Sequence, residues 1–155
     1  MLFIKKIIDL LEGLPGKSFL ALLGARLAVA HPFYVSGRSK AASTDPFSGE
    51  YFDLGSFTVT LFESEYSVPV LSPETAATLA LYGETFLPIM LALGLGGRFA
   101  AAGLLVMTIV INISYSGHDM LSNIAWVFAL LAVLTMGPGK ASFDHIIRQK
   151  IYGDK

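Results

Sequence analysis

Apolar residues in this chain come in long runs separated by short polar breaks, and only residues 37–72 depart from that rhythm. Four runs, at residues 18–36, 73–95, 98–116 and 120–136, are each about the length of helix that crosses a hydrocarbon core roughly 30 Å thick. The breaks carry turn chemistry: Gly96 and Gly97 between the second and third runs, residues 117–119 between the third and fourth, and Gly137, Pro138 and Gly139 after the last. The pattern predicts an all-α fold, a four-transmembrane-helix bundle forming a single domain over residues 1–155. Small residues spaced four apart, Ala21 with Ala25, Gly24 with Ala28 and Ala76 with Ala80, predict close helix approach.

Amphipathic segments flank the bundle. In residues 1–16 the charges of Lys5, Lys6, Asp9 and Glu12 are interleaved with apolar residues, which predicts a retained interfacial helix in place of a cleaved leader. In residues 142–152, Ser142 caps a short helix whose stripe of Phe143, Ile146, Ile147 and Ile151 opposes Arg148 and Lys150, a second interfacial helix. The 37–72 loop is too long for a plain connection. Within it Phe57, Val59 and Leu61 alternate with Thr58 and Thr60, and Pro69 and Pro73 follow, so a short strand or hairpin is expected. The strings LGARLAVA from Leu23 and LGGRFAAA from Leu95 read as a weak internal repeat.

Composition narrows the classes. At 54% hydrophobic, 15% charged and mean hydropathy +0.62, the 155 residues are too apolar for an ordinary soluble domain. A net charge of -1, with no basic and aromatic interleaving, gives no nucleic-acid face. The absence of cysteine excludes disulfides, thiolate metal sites and dithiol chemistry, so any redox role uses a borrowed cofactor or quinone. Lys5, Lys6, Lys17, Arg98, Lys140, Arg148, Lys150 and Lys155 fall on one side of the predicted bundle, and Arg38 and Lys40 on the other. That bias places both termini in the cytoplasm, with the acidic 37–72 loop exported, as for a multi-pass protein of the bacterial inner membrane.

Two charges interrupt the apolar runs. Counted along ideal helices, Arg26 lies about 12 Å above the start of its span and Glu84 about 16 Å from the start of the next. Facing lipid, either would cost at least about 2.5–3.5 kcal/mol, so a buried Arg26–Glu84 pair is expected. Pro88 cannot donate to the Glu84 carbonyl, which would offer Arg26 a second acceptor, and Thr85 can back-bond to its own helix. The plain alternative is a pair that only fixes helix register. His31, Tyr82, Asn112, Tyr115, Asn123 and Trp126 gather in the outer half, with His118 nearby. Together with Arg26 and Glu84 they form a candidate pocket for a quinone head group or small anion. Belt aromatics and a histidine serving a proline kink are the plain alternatives. No metal site is expected, because His31, His118 and His145 do not converge. No hydrolytic constellation and no intrinsic cofactor site is visible.

These residues, taken in order, resemble the DoxX family of small four-helix membrane proteins over essentially the whole chain. The resemblance is carried by Arg26, Gly37 and Lys40, the run FESEYSVPVLSP, Glu84 in YGETFLP, LGLGGR through Arg98, and the closing GPGKASFDH. Two departures stand out. Relatives typically carry a histidine where Asn123 stands, three positions before Trp126, and an apolar or aromatic residue where Arg38 stands. The resemblance implies the fold, and an association of relatives with membrane redox complexes such as a thiosulfate:quinone oxidoreductase.

Three functions follow as expectations. The first is the membrane subunit of a quinone-linked oxidoreductase, with lipid, a soluble redox partner or a second copy as partners. The others are a small-solute permease with moving helices at Pro32 and Pro88, and a non-catalytic scaffold for soluble proteins.

Overall fold

The computed structural model describes residues 18–66, 68, 70–114 and 120–153. Among these lie six helices: α1 (Ser18–Ser39), α2 (Thr58–Ser64), α3 (Pro73–Leu93), α4 (Gly97–Ser114), α5 (Met120–Met136) and α6 (Phe143–Tyr152). Helices α1, α3 and α4 are long and apolar enough to cross a membrane, while α5 is equally apolar but has 17 residues. The interfacial helix expected over residues 1–16 lies outside the described residues, as do Tyr115 and His118.

The bundle is a ring in which α1 packs on α3, α3 on α4, α4 on α5 and α5 on α1. Neighbours run antiparallel: Gly37 faces Glu84 while Arg26 faces Gly94, and Met107 abuts Gly83 while Leu87 abuts Gly103. Such an up-and-down order follows from short connections between apolar helices. At the centre Val29, Leu91, Ala100, Ala101, Leu104, Leu130 and Val133 form a packed layer with essentially no accessible surface. One end of the bundle carries the Gly94–Gly97 turn, called here the turn end. The other carries the 40–72 segment, the loop end.

Local chemistry sets the helix boundaries. Ser72 accepts from the Thr75 amide at 3.3 Å with Pro73 following, a standard N-terminus, and Gly94 closes α3 with φ +67, where a side chain would be strained. Ser142 caps α6 as expected, accepting from the His145 amide at 3.2 Å.

Three expectations need correction. The strand or hairpin does not form among the described residues: its segment is helix α2, and the loop holds one isolated bridge between Ala41 and Leu54. Thr58 and Phe62, four residues apart, are the buried positions, so the operative period is helical. A strand there would have no partner, whereas a helix satisfies its own backbone. The small-residue stripe of α1 does not mediate packing either, since Ala21, Gly24 and Ala28 are exposed, and the close approach of α1 to α3 is made by Gly37.

The third correction concerns Arg26 and Glu84, which do not meet. Their levels along α3, Gly94 and Glu84, are ten residues apart, about 15 Å. Hydropathy gives each run its length but not the stagger between runs: the start of α3 projects well past the end of α1 and is covered by α2.

Candidate functional site

At the turn end, pieces far apart in sequence close into a clasp. Arg26, 1% exposed, donates to the Pro138 carbonyl at 2.8 Å and the Ala141 carbonyl at 2.6 Å. The Asp144 carboxylate accepts from the amides of Gly96 and Gly97 at 2.7 and 2.9 Å, and so caps the start of α4 from another helix. The Asp144 amide returns a bond to the Gly94 carbonyl at 3.0 Å. A side chain at Gly94 would collide with Arg26 and Ser142, and one at Gly97 would lie 2.7 Å from Pro138. Arg98, exposed on the far side, donates to the Thr135 carbonyl at 3.2 Å. The clasp commits both terminal guanidinium nitrogens of Arg26 to backbone carbonyls, while its buried Nε has no partner among the described residues.

The loop end is different. Lys40, just past α1, donates from Nζ to Glu84 Oε2 at 2.7 Å, to Ser36 Oγ at 2.8 Å and to the Ser36 carbonyl at 3.2 Å. It thereby caps the last turn of α1 and neutralises the intramembrane carboxylate at once. Pro88 does leave the Glu84 carbonyl without its helical donor, but the neighbour packed against it is Gly37. Thr85 back-bonds to the Leu81 carbonyl at 2.6 Å, as expected, and also accepts from Arg38.

Arg38 is a buried cation with no carboxylate partner among the described residues. It donates to the Tyr51 carbonyl at 2.8 Å, and its guanidinium carbon sits 3.9 Å from the Tyr51 ring centroid, a close cation–π contact. Burial, and then the 2.8 Å bond with Tyr34, push the Tyr51 phenol above its ordinary range despite Arg38. Tyr51 therefore stays neutral at ordinary pH, and Arg38 is held by dipoles and a ring instead of by an anion.

Beside Lys40 and Glu84 opens a cavity of about 300 Å³. Pro32, Phe33, Met107, Ile111 and Trp126 wall it, and Phe62, Tyr66, Val68 and Leu71 roof it. The roof is held by the loop's return: Thr58 Oγ1 and the Gly55 amide both donate to the Lys40 carbonyl at 2.9 Å, and Phe62 stacks on Tyr66 at 4.7 Å. The Ser114 hydroxyl also lines the cavity, buried and with no hydrogen-bond partner among the described residues. One to two helical turns deeper, Val29, Leu91, Leu104 and Leu130 belong to the packed layer and none of them lines the cavity. On the α3–α4 side its rim is Leu79, Val106 and Val110, all apolar and exposed.

Of the candidate pocket residues, Glu84 and Trp126 line this cavity, and Trp126 packs on Phe33 at 5.5 Å. Asn123, 2% exposed, donates to Asn112 Oδ1 at 3.3 Å, and Asn112 donates to the Thr108 carbonyl at 2.8 Å, an α4–α5 link outside the cavity lining. The Asn123 carbonyl oxygen has no partner among the described residues. Arg26 is in the clasp, and His31 is exposed on the outside of α1. Tyr82 also faces outward, stacked with Phe52 at 5.9 Å and Phe86 at 6.2 Å. Tyr115 lies outside the described residues. Lys40, Ser36, Phe62 and Ser114 were not among the candidates. Lys40 carried a signal, since it stands among the residues of the family resemblance.

The family model described as DoxX matches residues 21–117, which runs from the turn holding Arg26 through Lys40 and Glu84 to the end of α4. The chain belongs to the DoxX family. The match embraces the whole cavity floor and all three long apolar helices, and it makes the chain a membrane protein with lipid around those helices. No match is found among curated proteins or among solved structures.

Proposed function

We propose that this protein is the membrane subunit of a quinone-linked redox complex and that its cavity holds the quinone head group. The observation that carries the proposal is a cavity of about 300 Å³ with apolar walls and one ion pair, Lys40–Glu84, at its floor. Small-ligand sites are commonly built this way, with a few placed polar groups in an apolar hollow. The apolar rim of Leu79, Val106 and Val110 suits a ligand that arrives from lipid and leaves its tail there. The packed layer beneath argues for binding over passage of a solute. Electrons would pass to or from a partner protein at the loop end.

In this proposal α5 is the fourth span and the turn end faces the bacterial cytoplasm. Arg98, Lys140, Arg148 and Lys150 are exposed there, whereas Arg38 and Lys40 are buried and bonded, so the exposed positive charge of the described residues lies on one side.

Trp126 is the single tryptophan of the chain and lines the cavity, which gives the test its probe. Full-length protein in lipid nanodiscs, titrated with a short-chain benzoquinone, should show saturable quenching of Trp126 emission. Ala80 lines the cavity, so filling it by Ala80→Phe should abolish saturation. Quenching that never saturates, or is untouched by Ala80→Phe, refutes the cavity as the site. Loss of the protein without loss of quinone-dependent oxidation in membranes refutes the redox role.

A further inference from the structure

We infer that the cavity is built for a neutral, hydroxyl-bearing head group, so that it favours the reduced hydroquinone over the quinone. This rests on the cavity being the quinone site, and it comes from counting which polar groups there are already spent.

Lysine has three N–H donors and no acceptor. All three of Lys40 are engaged, by the Ser36 carbonyl, Ser36 Oγ and Glu84 Oε2. A carboxylate offers about four acceptor positions, and Lys40 fills one of those on Glu84. Among the described residues the strong donor at the floor is therefore saturated, and the strong acceptor is not. The Ser36 hydroxyl, the Ser114 hydroxyl and the Trp126 indole of the lining are neutral donors, and the charged N–H left without a partner nearby, Arg38 Nε, does not line the cavity. A hydrogen bond to an ionised acceptor is roughly twice as strong as one between neutral groups. A ligand O–H thus has a stronger partner here than a ligand carbonyl has.

Charge removes the other donors and acceptors that would compete. Arg38 and Lys40 are buried cations and Glu84 is the buried anion among them, with Tyr51 a neutral phenol, so this cluster carries one positive charge in excess. Arg38 donates to Thr85, the residue next to Glu84, so the excess lies close to the floor. A protonated amine would pair with Glu84 but enter against that field. A carboxylate would face Glu84 with no free ammonium hydrogen to receive it. A neutral hydroxyl meets neither penalty, and the Ser114 hydroxyl, without a partner among the described residues, can receive or supply a second bond farther along the cavity.

The test uses three ligands of nearly one shape: a decyl benzoquinone, its hydroquinone, and the hydroquinone dimethyl ether. Each is titrated anaerobically into full-length protein in nanodiscs, with Trp126 emission as the readout. The hydroquinone should bind about tenfold more tightly than the other two, the margin expected when one charge-assisted bond replaces a neutral one. Glu84→Gln should reduce that margin toward unity. A quinone that binds as tightly as the hydroquinone, or a dimethyl ether that matches it, overturns the inference while leaving the cavity as a quinone site. If none of the three gives saturable quenching, the site itself is refuted, and the inference with it.

Discussion

Gly37 packs so closely on Glu84 that a methyl group placed on it would lie 2.8 Å from both the carbonyl carbon and the carbonyl oxygen of that residue. Those are backbone atoms of α3 and cannot swing aside, so this contact fixes the distance between α1 and α3 at the level of the ion pair. Gly37→Ala should therefore destabilise the protein by about 1–3 kcal/mol, the usual cost of overpacking, and weaken ligand binding by displacing Glu84. Gly24 has nothing within 4 Å of the same position, and Gly24→Ala should be neutral or stabilising by up to about 1 kcal/mol. Thermal unfolding of the two variants in one detergent checks the contrast.

The Lys40–Glu84 pair predicts an asymmetry. Removing one partner leaves a buried charge, so Lys40→Met or Glu84→Leu alone should cost about 3–5 kcal/mol. The double variant should recover most of that stability and yet bind no ligand. A double variant as unstable as either single one would show that the pair does more than neutralise itself.

Ser114 should behave in the opposite way. Its hydroxyl is buried without a partner among the described residues, so Ser114→Ala removes an uncompensated desolvation cost and should leave the empty protein equally stable, or more stable by about 1 kcal/mol. Ligand affinity should fall in the same variant. Unfolding temperature measured with and without ligand separates the two effects.

Asp144→Ala uncaps α4. Two amide bonds to Gly96 and Gly97 are lost from a helix start, which should cost about 1–2 kcal/mol and speed hydrogen exchange at those two amides. Exchange around the cavity should stay unchanged, since the packed layer stands between.

Arg26→Lys should not restore Arg26 function. A guanidinium reaches two carbonyls from one plane, and an ammonium is a point donor. Arg26→Lys should remain destabilised by about 1–3 kcal/mol, the cost of an unsatisfied buried carbonyl. Hydrogen exchange of α6 reports it directly.

The long apolar helices α1, α3, α4 and α5 and their order are legible in the runs and breaks of the chain, because length, apolarity and turn residues are local properties. Ser142 as a cap and Thr85 as a back-bonding side chain were legible for the same reason. The partners of Arg26 and Glu84 were not. Each charge was correctly expected to be buried, but its partner depended on the stagger of α1 against α3, which Gly37 and the covering α2 determine. The charge bias assigns Lys40 to the exported side, and nothing local says that a lysine one residue beyond a helix folds back onto it. Segment 57–61 reads as a strand because its apolar residues alternate with Thr and both Thr and Val suit strands, whereas the absence of a pairing partner is a tertiary fact.

The clasp also has a consequence in time. Arg26 emerges from the ribosome 112 residues before Pro138 and 115 before Ala141, about 6–22 s at common synthesis rates. Throughout that interval the first apolar helix carries an arginine whose acceptors do not yet exist, in a medium that tolerates unpaired charge poorly. A chain that stops short of Pro138 keeps that fault permanently. Chains truncated before Pro138 should therefore be less stable in the bilayer, and degraded faster, than chains that reach Ala141.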